Sequence, residues 1–64
     1  MEIIISVIPQ GKQFKVIANN GGNTETLFNN IIFLSDIAAA TWVTMNFDNK
    51  FNCRRVAGKW ILEV

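Results

Sequence analysis

The sequence predicts a small α+β fold: an antiparallel sheet with one helix packed on it, in the order β-β-β-α-β-β. Three observations carry this. Five short runs are dense in β-branched and aromatic residues, the composition of strands. Glycine-bearing turns join them as hairpins. One longer segment, "SDIAAATWVTMNFD" at 35–48, opens on helix-capping residues and continues through three alanines.

The elements follow in order. Residues 2–8, "EIIISVI", read as a first strand, and Pro9 with Gly11 supplies a turn. Residues 12–18, "KQFKVIA", make a second strand. "NNGGN" turns the chain again, because Gly21 and Gly22 tolerate positive φ. "TETLF" at 24–28 is the third strand, and "NNIIFL" bridges to the helix, extended at Ile31–Phe33. Ser35 or Asp36 caps the helix, Ala38, Trp42 and Met45 share one side of it, and "DNK" at 48–50 ends it. Residues 51–56 and 59–64 form a last hairpin around Ala57-Gly58. Pairing Val56 with Lys59 sets Phe51, Cys53 and Arg55 against Val64, Leu62 and Trp60 on one face, with Asn52, Arg54, Lys59 and Glu63 on the other. A bulge at Gly58 would shift that register, since Ala-Gly is not a favoured two-residue turn. Residues 1–64 are one domain, without repeat or linker.

The helix carries no charge between Asp36 and Asp48. Thr41, Thr44 and Asp48 make one narrow polar stripe, joined by an exposed Ile37, and the rest of the circumference is apolar. A helix lying on one small sheet needs an apolar arc of only ~100° or a little more. The first strand shows the same excess, with Ile4 and Ile8 facing opposite to Ile3, Ile5 and Val7. Two outcomes satisfy this surplus. Phe28, Ile31 and Phe33 of the bridge fold over it, or a contiguous apolar patch meets another molecule.

Composition narrows the function. Half of the residues are hydrophobic and 17% are charged, against roughly 25% charged in an ordinary domain, so the chain is no disordered tail. Net charge is +1, which favours neither nucleic acid nor anionic lipid. The longest uncharged apolar run, near residues 37–47, falls short of the ~20 residues of a membrane span. "MEIII" lacks a basic leader, so a soluble, intracellular, cytoplasmic protein is expected.

Catalytic chemistry is hard to assemble from these residues. Cys53 is the one cysteine, and no histidine exists to deprotonate it. Glu2, Glu25, Asp36, Asp48 and Glu63 show no local pairing suited to acid–base work or metal ligation. "NNGGN" matches neither phosphate-binding fingerprint. No enzyme activity, cofactor, metal or small-molecule substrate is expected. Lys50, Arg54, Arg55 and Lys59 beside Trp60 offer the alternative of a small nucleic-acid-binding domain using the basic C-terminal hairpin. Arg54 and Arg55 point to opposite faces, however, and Arg55 opposite Trp60 suits a cation–π pair.

From Gln13 to about Trp42, roughly half the chain, the sequence resembles the YegP-like small domain of unknown function. The shared pattern is "QFKVIAN", a glycine turn, "ETLFNNIIF", and Ser35 with Ala38 and Ala39 opening a helix. The resemblance implies a unit that its family carries in tandem, so that two single units would meet as a dimer. It brings no catalytic or cofactor residues. The β-β-β-α outline also looks like the plant-type AP2 DNA-binding domain. Here its strands hold only Lys12 and Lys15, without the arginines and tryptophans that read DNA.

The function expected is non-enzymatic protein contact, either self-association as a homodimer or docking to a larger protein that the chain modulates. A short cysteine-poor chain of this kind suits a phage or mobile-element inhibitor of a host defence factor. The expected interface is Trp42, Val43, Met45 and Phe47 of the helix, with Arg54 and Lys59 as a charged rim. Phe14, Val16, Trp60 and Leu62 are expected in the core.

Overall fold

The computed structural model describes residues 2–48 and 52–63. Its strands are β1 (Glu2–Gln10), β2 (Gln13–Asn20), β3 (Asn23–Leu27), β4 (Asn52–Val56) and β5 (Lys59–Glu63), with helix α1 (Asp36–Val43) continuing as a π-turn over Thr44–Asp48. The fold is the α+β class expected, with the elements in the expected order. All five strands join one antiparallel sheet in the order β3-β2-β1-β5-β4. The last strand therefore inserts beside the first, and β1 becomes the centre.

Turn chemistry sets the registers. Gly21 and Gly22 take φ of 60° and 97° between the paired Asn20 and Asn23, the two positive values that a type I′ hairpin requires. The Asn19 side chain accepts the Gly22 N–H at 3.2 Å. The first hairpin differs from expectation. Pro9 lies in the strand opposite Phe14, and the turn is Gly11-Lys12, with Gly11 at φ 63°. Pro9 is tolerated because β5 pairs with β1 only from Glu2 to Ile5, so the missing N–H leaves no strand unserved. The last hairpin keeps the Val56–Lys59 register without a bulge, and Ala57 takes φ 51° to do so. The expected Phe51–Val64 pair lies outside the described residues.

Beyond β3 the chain leaves the sheet at Phe28, whose φ is 55°, and turns so that the Ile31 N–H donates to the Phe28 carbonyl at 3.0 Å. It returns at Phe33, whose carbonyl accepts from the Phe14 N–H at 2.9 Å. Phe33 is thereby buried, and Phe28 and Ile31 pack against the core. The bridge covers the inner face of the sheet together with α1. Nothing among the described residues covers the outer face.

The core is Ile5, Val16, Phe33, Ala39, Val43, Trp60 and Leu62. Val16, Trp60 and Leu62 are buried as expected, with Phe14 packed at their margin. On α1 the core line is Ala39 and Val43, one turn apart, rather than Ala38–Trp42–Met45, which faces away. Four residues carry an α-helix roughly 40° past a full turn, so a third member of this line would drift off the core. The wider π-turn holds back that drift and keeps Phe47 over the core, its ring 6.2 Å from that of Phe28.

Candidate protein-contact surface

Helix α1 starts where Ser35 Oγ accepts the Ala38 N–H at 3.1 Å, with Asp36 in the first turn, where a carboxylate favours the helix dipole. Seated on Ala39 and Val43, the helix turns Ile37, Thr41 and Met45 outward. Ile37 is 74% exposed and Met45 66%. Thr41 between them donates its hydroxyl to the Ile37 carbonyl at 2.8 Å, so its donor is spent on the helix backbone. Asn46 likewise donates its amide to the Trp42 carbonyl at 2.8 Å. Ile37 and Met45 thus make the ridge facing water largely apolar, and the polar side chains of Thr41 on it and Asn46 beside it each direct a donor back to the helix.

Trp42 stands on one flank, 40% exposed, its ring 5.9 Å from Phe28. On the other flank Ala40 faces Val7, Trp60 and Arg55 across a groove. The Arg55 guanidinium stacks over the Trp60 ring at 4.7 Å, the cation–π pair expected from the register. Trp60 is fully enclosed, and its Nε1–H finds no acceptor among the described residues. Burying so large a ring is worth about 3 kcal/mol, enough to outweigh the ~1–3 kcal/mol of an unmade hydrogen bond.

The six residues singled out from sequence do not form one site. Trp42 and Met45 lie on the helix surface. Val43 is fully buried and belongs to the core, and Phe47 is half-buried in the aromatic cluster. Arg54 and Lys59 are exposed on the outer face, opposite to α1, because alternation along β4 and β5 sends Cys53, Arg55, Trp60 and Leu62 inward. The charged neighbour of the helix is Arg55. Ile37 is exposed as expected, and it lines up with Thr41 and Met45 rather than with Thr44 and Asp48.

The outer face has a different character. Ile4 sits beside Ile61, Ser6 beside Ile17, and Ile8 beside Lys15, all half-buried by their neighbours in the sheet. At one end Arg54 bridges Glu2 at 3.0 Å and Glu63 at 3.2 Å. All three side chains are about half exposed, so these pairs stabilise the fold by at most about 1 kcal/mol. They do engage the Arg54 charge. Lys50 lies outside the described residues.

Cys53 faces inward opposite Leu62. Burial raises its thiol pKa, and the Asp48 carboxylate, by its charge and by accepting the thiol hydrogen bond, raises it further. The described residues contain no cluster of three metal-ligating side chains. No helix among them is long and apolar enough to cross a membrane. No family model, curated protein or solved structure matches the chain.

Proposed function

We propose that this chain is a non-enzymatic protein-contact domain that uses the outward ridge of α1 against another protein or a second copy of itself. The observation that carries the reading is the Ile37–Thr41–Met45 ridge, apolar and exposed over two turns of the helix. Large apolar side chains gathered on one surface mark contacts, because leaving each in water forgoes about 1.5–3 kcal/mol of burial. Trp42 adds an aromatic anchor on one flank, and Arg55 a charged rim on the other. The basic hairpin offers nucleic acid less, since Arg54 is paired with carboxylates and Arg55 stacks on the opposite face. A protein that this ridge inhibits or modulates, including a host factor, fits the same surface.

The test pairs the wild-type chain with the double variant Ile37→Lys/Met45→Lys. Both positions are exposed, so the variant keeps the core. Sedimentation at micromolar concentration reads self-association, and side-by-side capture from cell extract reads a partner. The expected result is a dimer or a captured protein that the double variant loses. A wild-type chain that sediments as a 7.2 kDa monomer and captures the same proteins as the variant removes the proposal.

A further inference from the structure

Helix α1 packs chiefly on β1 and β2, and the π-turn that continues it reaches β4, so the hairpin end of β4 and β5, at Arg55 and Gly58, lies beside the helix rather than under it. Strands ~4.8 Å apart make a five-stranded sheet roughly 20 Å across, and one helix covers only about 10 Å of it. Arg55 and Trp60 fill the remainder. Between that pair and the helix run two adjoining depressions of about 290 Å³ and 370 Å³, which share Ile37, Ala40 and Arg55. One extends toward Gly58 and Asp36, the other toward Thr44 and Met45.

Arg55 is the one positive charge among the described residues that line this groove. Its guanidinium carbon lies over the Trp60 ring, 4.7 Å from the centroid, and this cation–π contact holds the group beside the groove. Among the described residues it has no ion pair, in contrast to Arg54. The N–H donors along its edge are therefore unspent, and they form a fork that matches a carboxylate. A side chain already ordered loses less entropy when it binds. Around the fork Ile37, Ala40 and Met45 supply apolar wall, with Thr41 and Thr44 beside them. Asp36 stands at the far end of the other depression, so an incoming carboxylate is favoured on the Met45 side.

From this geometry we infer that the groove binds a partner segment with an aliphatic side chain next to an aspartate or glutamate. The aliphatic group sits between Ile37, Ala40 and Met45, and the carboxylate pairs with Arg55. The two depressions continue past Arg55 in both directions along the helix, which suits an internal segment running through the groove rather than a chain end. This inference rests on the reading of α1 as a contact surface and names the chemistry of what it contacts.

The experiment titrates the isotope-labelled full chain with two end-blocked hexapeptides and follows the NMR spectrum. One peptide holds a leucine beside a glutamate; the other replaces that glutamate with glutamine. The expected result is resonance shifts confined to Ile37, Ala40, Thr44, Met45, Arg55 and the Trp60 indole, with the glutamate peptide at least about tenfold tighter, the worth of a charge-assisted hydrogen bond. Arg55→Gln removes that preference while leaving the glutamine peptide nearly unchanged. Should Arg55→Gln uncover Trp60 and unfold the chain, Arg55→Lys serves, since it keeps the charge without the fork and loses most of the preference. No shifts at these positions at millimolar peptide, or equal affinity for both peptides, overturns the inference. A partner lost with Ile37→Lys/Met45→Lys but retained by the arginine variants overturns it too, and leaves the contact reading standing. A partner that neither set of variants releases sinks both.

Discussion

Cys53 has no histidine to deprotonate it, and its surroundings hold it further toward the thiol. Its side chain is half-buried opposite Leu62, and the Asp48 carboxylate beside it opposes the thiolate charge. Both effects hold the proton on sulfur, and the thiolate is the nucleophilic form. The expected outcome is that iodoacetamide at pH 7.5 alkylates Cys53 more slowly than a cysteine in the unfolded chain, and that Asp48→Asn raises the rate. Equal rates in the folded and urea-unfolded chain would contradict this. The linked stability follows the same sign. The unfolded thiol releases its proton at lower pH than the folded one, so stability falls as pH rises past the thiol's ordinary pKa. Other single positions were legible without coordinates. The Val56–Lys59 register alone placed Arg55 opposite Trp60, with Trp60 and Leu62 on the inward face. Val43 was not legible as core. An uncharged helix carries no polar marker to fix its phase, so neighbours in the run look equally fit for either side.

Individual elements were readable wherever glycine dictated the backbone, and less so where an ordinary residue accepted strain. Gly21-Gly22 supports a two-residue hairpin turn directly, while at Ala57-Gly58 a bulge stood as the alternative to the Val56–Lys59 register that the chain adopts. Ala57 instead holds φ 51°, a left-handed conformation that costs a residue with a Cβ about 1–2 kcal/mol. Retaining the register keeps Cys53, Arg55, Trp60 and Leu62 facing inward, and a one-residue slip would reverse all four. Asparagine tolerates this conformation and is favoured at the first position of a type I′ turn. Ala57→Asn is accordingly expected to stabilise the domain by about 1 kcal/mol, read as a rise in the urea midpoint at unchanged slope. A drop in the midpoint would mean that the turn is not under strain. The π-turn lay beyond sequence reading, because it answers to the seat that Phe28 offers Phe47 across the fold. Strand order was equally hidden. Nothing local in "KWILE" says that it pairs with the first strand of the chain.

The whole molecule is two-sided in a way that its most apolar strand conceals. "EIIISVI" reads as a strand covered on both faces, yet only the inner face meets the helix and the returning bridge. Ile5 on that face is 1% exposed, while Ile4, one residue earlier, lies on the open side beside Ile61. Deleting a buried isoleucine to alanine costs about 2–5 kcal/mol, and a 64-residue domain with a single cysteine, hence no internal disulfide, has only ~3–5 kcal/mol to lose. Ile5→Ala should therefore leave the chain largely unfolded at 25 °C by circular dichroism. Ile4→Thr keeps the β-branch, loses half-exposed methyl surface, and should cost about 1 kcal/mol or less. The contrast is the informative quantity, since both substitutions sit at the centre of the same strand and share its backbone hydrogen bonding. If Ile4→Thr proves as damaging as Ile5→Ala, the outer face is buried in solution, and a concentration-dependent urea midpoint would identify a second copy as its cover. If it proves mild and the midpoint ignores concentration, the outer face meets water in solution and the apolar excess of the first strand is tolerated exposure.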